Sequence, residues 1–212
     1  TVEKESGATA RNFAYTRIKL EGKALNTTRL KTIIATTVVF TVMGLTACQS
    51  TTGLKKDPEK AVQVRTQLAA EYIRTRQLDS AKRSLDQALK IDSRDANANM
   101  MMGILLQQEG SKSNMQKAEA YFKRAISSES DNAQARNNYG TYLYQMQRYN
   151  EAIEQFTHAG ATLGYEQRFQ SLENLGRIYL KLGDVANAEK SFKQALQANR
   201  NATISMLELA EI

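Results

Sequence analysis

The sequence predicts an all-α solenoid, a stack of helix pairs, because one pattern of small and large apolar residues recurs at a near-constant interval. Small residues at repeat positions 8, 20 and 27 let two helix backbones cross closely, and large apolar residues at positions 7, 11 and 24 fill the space beside the crossing. One such pair cannot bury both apolar faces, so the copies are expected to stack. In the clearest copy, numbered from Ala133, these residues are Tyr139, Gly140, Leu143, Ala152, Phe156 and Ala159.

The pattern has three further copies, formed by Leu68, Ala69, Tyr72, Ala81, Leu85 and Ala88, by Met102, Gly103, Leu106, Ala118, Phe122 and Ala125, and by Leu175, Gly176, Tyr179, Ala188, Phe192 and Ala195. Repeats begin at Val62, Ala96, Ala133, Phe169 and Thr203, with spacings of 34, 37, 36 and 34 residues. This resembles the tetratricopeptide repeat (TPR). An unrelated helical bundle is the alternative, but all four copies carry small residues at the three crossing positions.

We therefore predict a TPR superhelix over residues 61–212, with four complete repeats near 62–95, 96–132, 133–168 and 169–202 and the start of a fifth at 203–212. Three extra residues near 110–113 are expected to lengthen the turn of the second repeat. Gly183 followed by Asp184 predicts the end of one helix and the cap of the next. Because Leu209 and Ala210 occupy positions 7 and 8 of the fifth repeat, we expect a truncated repeat with an unpartnered apolar face.

The residues before the repeats divide into three segments. Residues 1–28 show no helical or strand period and remain unassigned; an upstream reading-frame artefact, a real extension and a non-Met start near Leu30 stay open. Residues 29–47 are typical of a signal peptide, with basic residues followed by an uncharged apolar run. The polar residues 48–60, which contain the only proline, predict a tether.

The segment Leu45-Thr46-Ala47-Cys48 resembles a bacterial lipobox, in which the cysteine is acylated and becomes the first residue of the mature protein. The resemblance implies a lipid anchor on Cys48. An uncleaved membrane anchor or a buried structural cysteine are the alternatives. Because Gln49 rather than Asp follows the cysteine, the pattern resembles that of lipoproteins sorted to the outer membrane, and the repeats are then expected at its periplasmic face.

Charge and composition disfavour several classes of function. The net charge of +7 comes partly from residues 1–48. From Gln49 onward the chain has 22 basic and 19 acidic residues and no basic stripe, so nucleic-acid binding is not expected. One cysteine and one histidine, His158, predict neither a disulfide nor a metal site. No nucleophile with a base, paired carboxylates or phosphate loop is evident, so we expect no enzyme, no cofactor and no small-molecule substrate.

In the TPR family, the first helices of the repeats form a concave face that binds proteins at positions 2, 5, 9, 12 and 13. The resemblance implies such positions in all four complete repeats, including Arg177 and Lys181 in the fourth. We place the protein-binding groove on the first three repeats, where amides that suit a peptide backbone lie among apolar anchors. The predicted groove residues are Ile73, Asn97, Met100, Ile104, Gln107, Gln134, Asn137, Thr141 and Tyr144. The groove lacks the Lys and Asn pattern of repeats that clamp a terminal carboxylate.

A lipobox, a short tether and these repeats, with the segments 137–140, 143–144, 148–149 and 172–176, resemble the pilotin lipoproteins of type IV pili. That family has six repeats, escorts the pilus secretin subunit to the outer membrane and promotes its assembly into a multimeric pore. The resemblance implies the secretin as protein partner. Two alternatives are a TPR scaffold lipoprotein in outer-membrane protein insertion or cell-wall synthesis, and an accessory part of a membrane-bound enzyme.

Overall fold

The structure, a computed structural model, describes residues 57–212, which form nine α-helices and no strand in that range. The predicted extension, signal peptide and Cys48 lie outside the described residues. The helices are α1 (Pro58–Arg74), α2 (Leu78–Ile91), α3 (Ala96–Glu109), α4 (Lys112–Ser128), α5 (Ala133–Gln145), α6 (Tyr149–Ala161), α7 (Arg168–Lys181), α8 (Val185–Ala198) and α9 (Thr203–Glu211). None of them has the length and apolar character that crossing a bilayer requires.

The helices pack as four consecutive pairs, α1 with α2, α3 with α4, α5 with α6 and α7 with α8, and α9 packs against α8. The first helix of each pair also contacts the first helix of the next pair, so that α1 contacts α3, α3 contacts α5 and α5 contacts α7. Within residues 57–212, no comparable contact joins consecutive second helices. Since the stack is closer on the side of the first helices, it curves toward them. We call the surface formed by α1, α3, α5 and α7 the inner surface.

Each pair is held by a close crossing of its two helices. A Cβ atom built on Gly140 would lie 2.9 Å from the ring of Phe156, and one on Gly103 would lie 2.9 Å from the ring of Phe122. The crossing alanines and aromatic rings are fully enclosed, with Ala152 0% and Phe156 1% exposed. In the first pair the residues at the same repeat positions are Leu85 and Ala69, both 0% exposed. The predicted small residues therefore bring the backbones close enough for one large side chain to fill the crossing.

The turn inside each pair reverses the chain through one residue with positive φ at repeat position 15. These residues are Arg76 (φ 60°), Gly110 (φ 72°), Gln147 (φ 60°) and Gly183 (φ 78°). After Gly183, the Asp184 carboxylate accepts a hydrogen bond of 3.1 Å from the backbone N–H of Asn187 and caps α8, which confirms the predicted cap.

The expectation of a longer turn in the second repeat is wrong. Gly110 and Ser111 alone separate α3 from α4, and the extra residues lengthen α4 to 17 residues. Helix α4 starts early because the Ser111 hydroxyl accepts a hydrogen bond of 3.1 Å from the backbone N–H of Asn114. An available cap thus extended the helix and left the turn short.

A cluster of charged groups joins the second repeat to the third. The carboxylate of Glu119, on α4, pairs with Arg148 Nη1 and Lys123 Nζ, both at 2.8 Å, and accepts a hydrogen bond of 3.1 Å from the Tyr139 hydroxyl. Arg148 also pairs with Glu151. Burial raises the pKa of Glu119, but the hydrogen bonds from Lys123 and Arg148 outweigh it, and the pKa lies below its usual value. The pKa of Tyr139 is raised, mainly by burial and then by the neighbouring Glu119.

The close crossing in the fourth repeat predicts a large effect of one methyl group. In Gly176→Ala, the new Cβ would lie 2.6 Å from Cε1 of Phe192, so the free energy of unfolding should fall by about 1–3 kcal/mol through overpacking. The control is Gly164→Ala, where no atom lies within 4 Å of the new Cβ and stability should change little. Chemical denaturation monitored by circular dichroism measures both, and equal stability of the two variants would contradict the packing argument.

The Glu119 cluster predicts a dependence of stability on pH. Because the folded-state pKa of Glu119 is lowered, its contribution is present above the usual glutamate pKa of about 4.3 and is lost as pH falls through the folded-state value. Glu119→Gln should cost about 1–3 kcal/mol at pH 7 and flatten the fall in stability below pH ~4.3. Glu154→Gln, which removes an exposed carboxylate with no ion pair in residues 57–212, is the control. A parallel pH profile for wild type and Glu119→Gln would refute this role.

Candidate functional site: the inner surface

The predicted groove residues lie along α1, α3 and α5 but differ widely in exposure. Asn97 and Gln134 are exposed, whereas Ile73 and Met100 are buried, at 6% and 3% exposure. The others are half-buried: Ile104, Gln107, Asn137, Thr141 and Tyr144. The inner surface therefore presents only part of the predicted set to a ligand.

The two apolar anchors Ile73 and Met100 belong to the hydrophobic core in this structure. The Met100 sulfur also accepts a hydrogen bond of 3.4 Å from the side-chain amide of Asn138, on the next first helix. Met100 is enclosed because its repeat position, position 5, points toward the following repeat. Met100, predicted as a groove residue, is therefore part of the core, and its replacement would also lower stability.

Position 5 makes the contact between successive first helices. The hydroxyl of Ser171, at position 3 of the fourth repeat, donates a hydrogen bond of 2.8 Å to Oδ1 of Asn137, at position 5 of the third. One repeat later, the Ser205 hydroxyl and backbone N–H each donate at 3.1 Å to Oε1 of Glu173. Glu173, on α7, is 4% exposed. Its carboxylate lies against the first turn of α9, where helix N–H groups favour a negative charge. These bonds hold the first helices in register.

The same geometry explains an unsatisfied atom in the first repeat. The Thr66 hydroxyl is the one buried side-chain polar atom in residues 57–212 without a hydrogen-bond partner. Thr66 occupies position 5, and by repeat equivalence it faces position 3 of the next repeat, which is Ala98. Alanine has no hydroxyl to donate, so the threonine oxygen is left unpaired.

Two of the predicted amides are also engaged between repeats. Besides Asn137, Gln107 donates a hydrogen bond of 2.7 Å from Nε2 to Oε1 of Gln145, which links α3 to α5. Thr141 donates to the backbone carbonyl of Asn137 at 3.0 Å. These groups are partly satisfied within the protein, so a ligand would have to compete with them for hydrogen bonds.

A small cavity lies between the third and fourth repeats. The cavity, of about 30 Å³, is lined by Thr141, Tyr144, Phe156, Asn174 and Arg177. The Tyr144 ring lies 5.7 Å from that of Tyr149, and Lys181 Nζ lies 5.7 Å from the centroid of Tyr149. Thr141 and Tyr144 were predicted as groove residues.

The predicted groove ended at the third repeat and therefore left out the residues that α7 and α6 contribute. Arg177 and Lys181 occupy ligand-facing positions 9 and 13, but the groove was placed on the first three repeats. Asn174 occupies position 6, which was not considered, and Tyr149 belongs to a second helix. The spacing of Arg177 and Lys181, one helical turn apart on α7, was the signal that could have found them.

The described residues offer hydrogen bonds, ion pairs and aromatic contacts to a ligand. Within residues 57–212 no three His, Cys, Asp or Glu side chains are grouped so that they could hold a metal ion. His158 is exposed on α6. The inner surface therefore offers hydrogen bonding, ion pairing and aromatic contact.

Comparisons with known proteins agree with this architecture. Two family models described as tetratricopeptide repeat match residues 55–95 and 131–201. The chain is 31% identical over 186 residues to the type IV pilus assembly protein PilF of Pseudomonas aeruginosa, a match covering 85% of this chain and 73% of PilF. The predicted TPR fold is confirmed.

Two solved structures extend the likeness to three dimensions. The chain superposes on a structure of Pseudomonas aeruginosa PilF with a TM-score of 0.69 and 32% identity, covering 74% of this chain and 69% of that one. A structure of PilW, described as a type IV pilus biogenesis factor, gives a TM-score of 0.64 and 29% identity, with coverage of 71% and 67%. Both relatives take part in pilus biogenesis.

The contact between positions 5 and 3 predicts opposite effects of removing a hydroxyl in two repeats. Thr66→Val removes an unpaired buried hydroxyl and should leave stability unchanged or raise it by about 1 kcal/mol. Ser171→Ala removes the donor to Asn137 and should lower the free energy of unfolding by about 1–3 kcal/mol. Denaturant unfolding of both variants tests this, and a loss of stability in Thr66→Val as large as that in Ser171→Ala would contradict it.

Proposed function

The chain belongs to the family of the type IV pilus assembly protein PilF, and we propose that it is an outer-membrane pilotin. In this role it binds the secretin subunit of the type IV pilus and promotes its localisation and multimerisation in the outer membrane. The observation that carries the proposal is identity of 31% over most of the chain, together with the superposition on PilF. The protein acts as a binding partner, without catalysis or a cofactor.

The proposed membrane attachment is a lipid on Cys48. The similarity to PilF covers 85% of the 212 residues. The part of the chain outside the similarity is therefore shorter than the 47 residues that precede Cys48. The similarity therefore extends upstream of the repeats and includes the lipobox-like segment. Several acyl chains on one cysteine exceed the two signals that stable anchoring needs. A tether of about 12 residues then spans roughly 20 Å and keeps the repeats near the periplasmic face.

The stacked helices suit the proposed escort role because they form a preorganised surface. The hydrogen bonds from Ser171 to Asn137 and from Ser205 to Glu173 fix successive first helices before any partner binds. A surface that is already ordered loses less conformational entropy on binding. The inner surface can thus bind a flexible segment of the secretin subunit, with the ordering cost falling mainly on that segment.

The proposal predicts that Cys48 controls both location and secretin assembly. In cells lacking the endogenous protein, the wild-type chain should sediment with the outer membrane and restore heat-resistant secretin multimers, as judged by immunoblotting of fractionated membranes. Cys48→Ser removes the acylated atom, so it should leave the outer-membrane fraction and restore few multimers. Gln49→Asp keeps the acylated cysteine and, by the sorting pattern of the lipobox family, should retain the protein at the inner membrane.

Two results would contradict the proposal separately. If Cys48→Ser stays in the outer membrane of a strain without secretin, the anchor lies elsewhere. If the wild-type chain neither captures the secretin from detergent extracts nor changes its multimerisation, the pilotin role is wrong, whatever the anchor.

A further inference from the structure

Two cations on α7, Arg177 and Lys181, face the inner surface without an ion pair to any carboxylate in residues 57–212. Both are exposed, and they lie one helical turn apart. Five cations in the same range are paired, among them Arg74 with Glu71 and Arg148 with Glu119. The charge of Arg177 and Lys181 is therefore uncompensated by a direct contact.

The inner surface around these cations contains almost no negative charge. At repeat positions 2, 5, 6, 9, 12 and 13 of the four complete repeats, the single carboxylate is that of Glu173. Glu173 is buried and accepts both hydrogen bonds from Ser205, so it does not face the groove. An incoming carboxylate thus meets two cations with no competing acidic side chain at these positions.

Aromatic groups lie beside the two cations. Tyr144 is half-buried on α5, Tyr149 packs against it with ring centroids 5.7 Å apart, and Lys181 lies over Tyr149. We call Tyr144, Tyr149, Arg177 and Lys181 the basic–aromatic patch. Rings of this kind offer apolar contact area at low conformational cost, and Asn174 beside them can donate to and accept from a peptide backbone.

We propose that the basic–aromatic patch binds an extended acidic segment of the partner protein, with side-chain carboxylates pairing to Arg177 and Lys181. The neighbouring cavity of about 30 Å³ admits a small group beside the patch. The assignment of that segment to the secretin subunit rests on the proposed function.

A peptide pair tests the chemistry directly. The probe is a fluorescently labelled short peptide of alternating glutamate and tyrosine, acetylated and amidated so that it has no terminal charge. Its match is a control peptide in which glutamine replaces every glutamate. By fluorescence anisotropy, the wild-type chain should bind the acidic peptide about tenfold or more tightly than its match. The preference should weaken as salt rises, because exposed charges are screened. Equal binding of the two peptides, or no binding of either, would overturn the proposal.

Charge-matched variants locate the binding. Arg177→Glu with Lys181→Glu should abolish the preference for the acidic peptide. The control is Lys117→Glu with Lys190→Glu, which changes the net charge equally at exposed positions of α4 and α8 that have no ion pair in residues 57–212. The control should bind as the wild type does, and circular dichroism checks that both variants are folded. If both double variants lost the preference for the acidic peptide equally, the cause would be a general charge effect, and the proposal would be overturned.

The same variants separate this inference from the pilotin role. If the purified secretin subunit binds the wild-type chain and the control but not the Arg177 and Lys181 variant, the acidic segment belongs to the secretin. If it binds all three equally, the inference is wrong and the pilotin role stands. If the secretin binds none of them, the pilotin role fails, and the peptide measurements alone decide whether the patch binds acidic segments.

Discussion

The architecture depends on one constraint, the close crossing of the two helices in each pair. Where Gly140 meets Phe156 or Gly176 meets Phe192, a single additional methyl group would overlap the ring. The crossing buries the aromatic side chain against backbone and leaves the rest of each helix face to be covered by the next pair. Stacking is therefore a consequence of local packing: a pair that crosses this closely has one apolar face satisfied and one that only a neighbour can cover.

The stack is held in register by a second set of contacts, and their polarity changes along the chain. Between the first repeats the position-5 side chains are Thr66 and Met100, and in the later repeats they are Asn137 and Glu173, each with a serine donor. A buried polar pair tolerates less displacement than an apolar contact, because sliding leaves a donor or acceptor unsatisfied. The later repeats are thus more tightly specified in their relative position than the first two.

The fold was largely predictable from the sequence because the crossing requires small residues at fixed spacing, and Gly103, Gly140 and Gly176 carry that signal. The binding surface was less predictable, since position 5 reads as ligand-facing in the repeat pattern while the structure turns Met100 and Asn137 toward the following repeat. Whether position 5 faces a ligand or the next repeat depends on the angle between neighbouring helix pairs, which cannot be predicted from the sequence of one helix. The turn of the second repeat was mispredicted for a similar reason, because Ser111 could cap a longer α4.

Since position 5 is used to join the repeats, recognition is left to side chains at other positions of the inner surface, such as 2, 9 and 13. In the third repeat these are neutral, such as Gln134 and Thr141, whereas in the fourth they include Arg177 and Lys181. Charge on the inner surface is therefore concentrated where the register is held by polar contacts. Arg177 and Lys181 lie one helical turn apart on a helix held in register by these contacts, so we expect the fourth repeat to distinguish acidic from neutral segments more strongly than the third does.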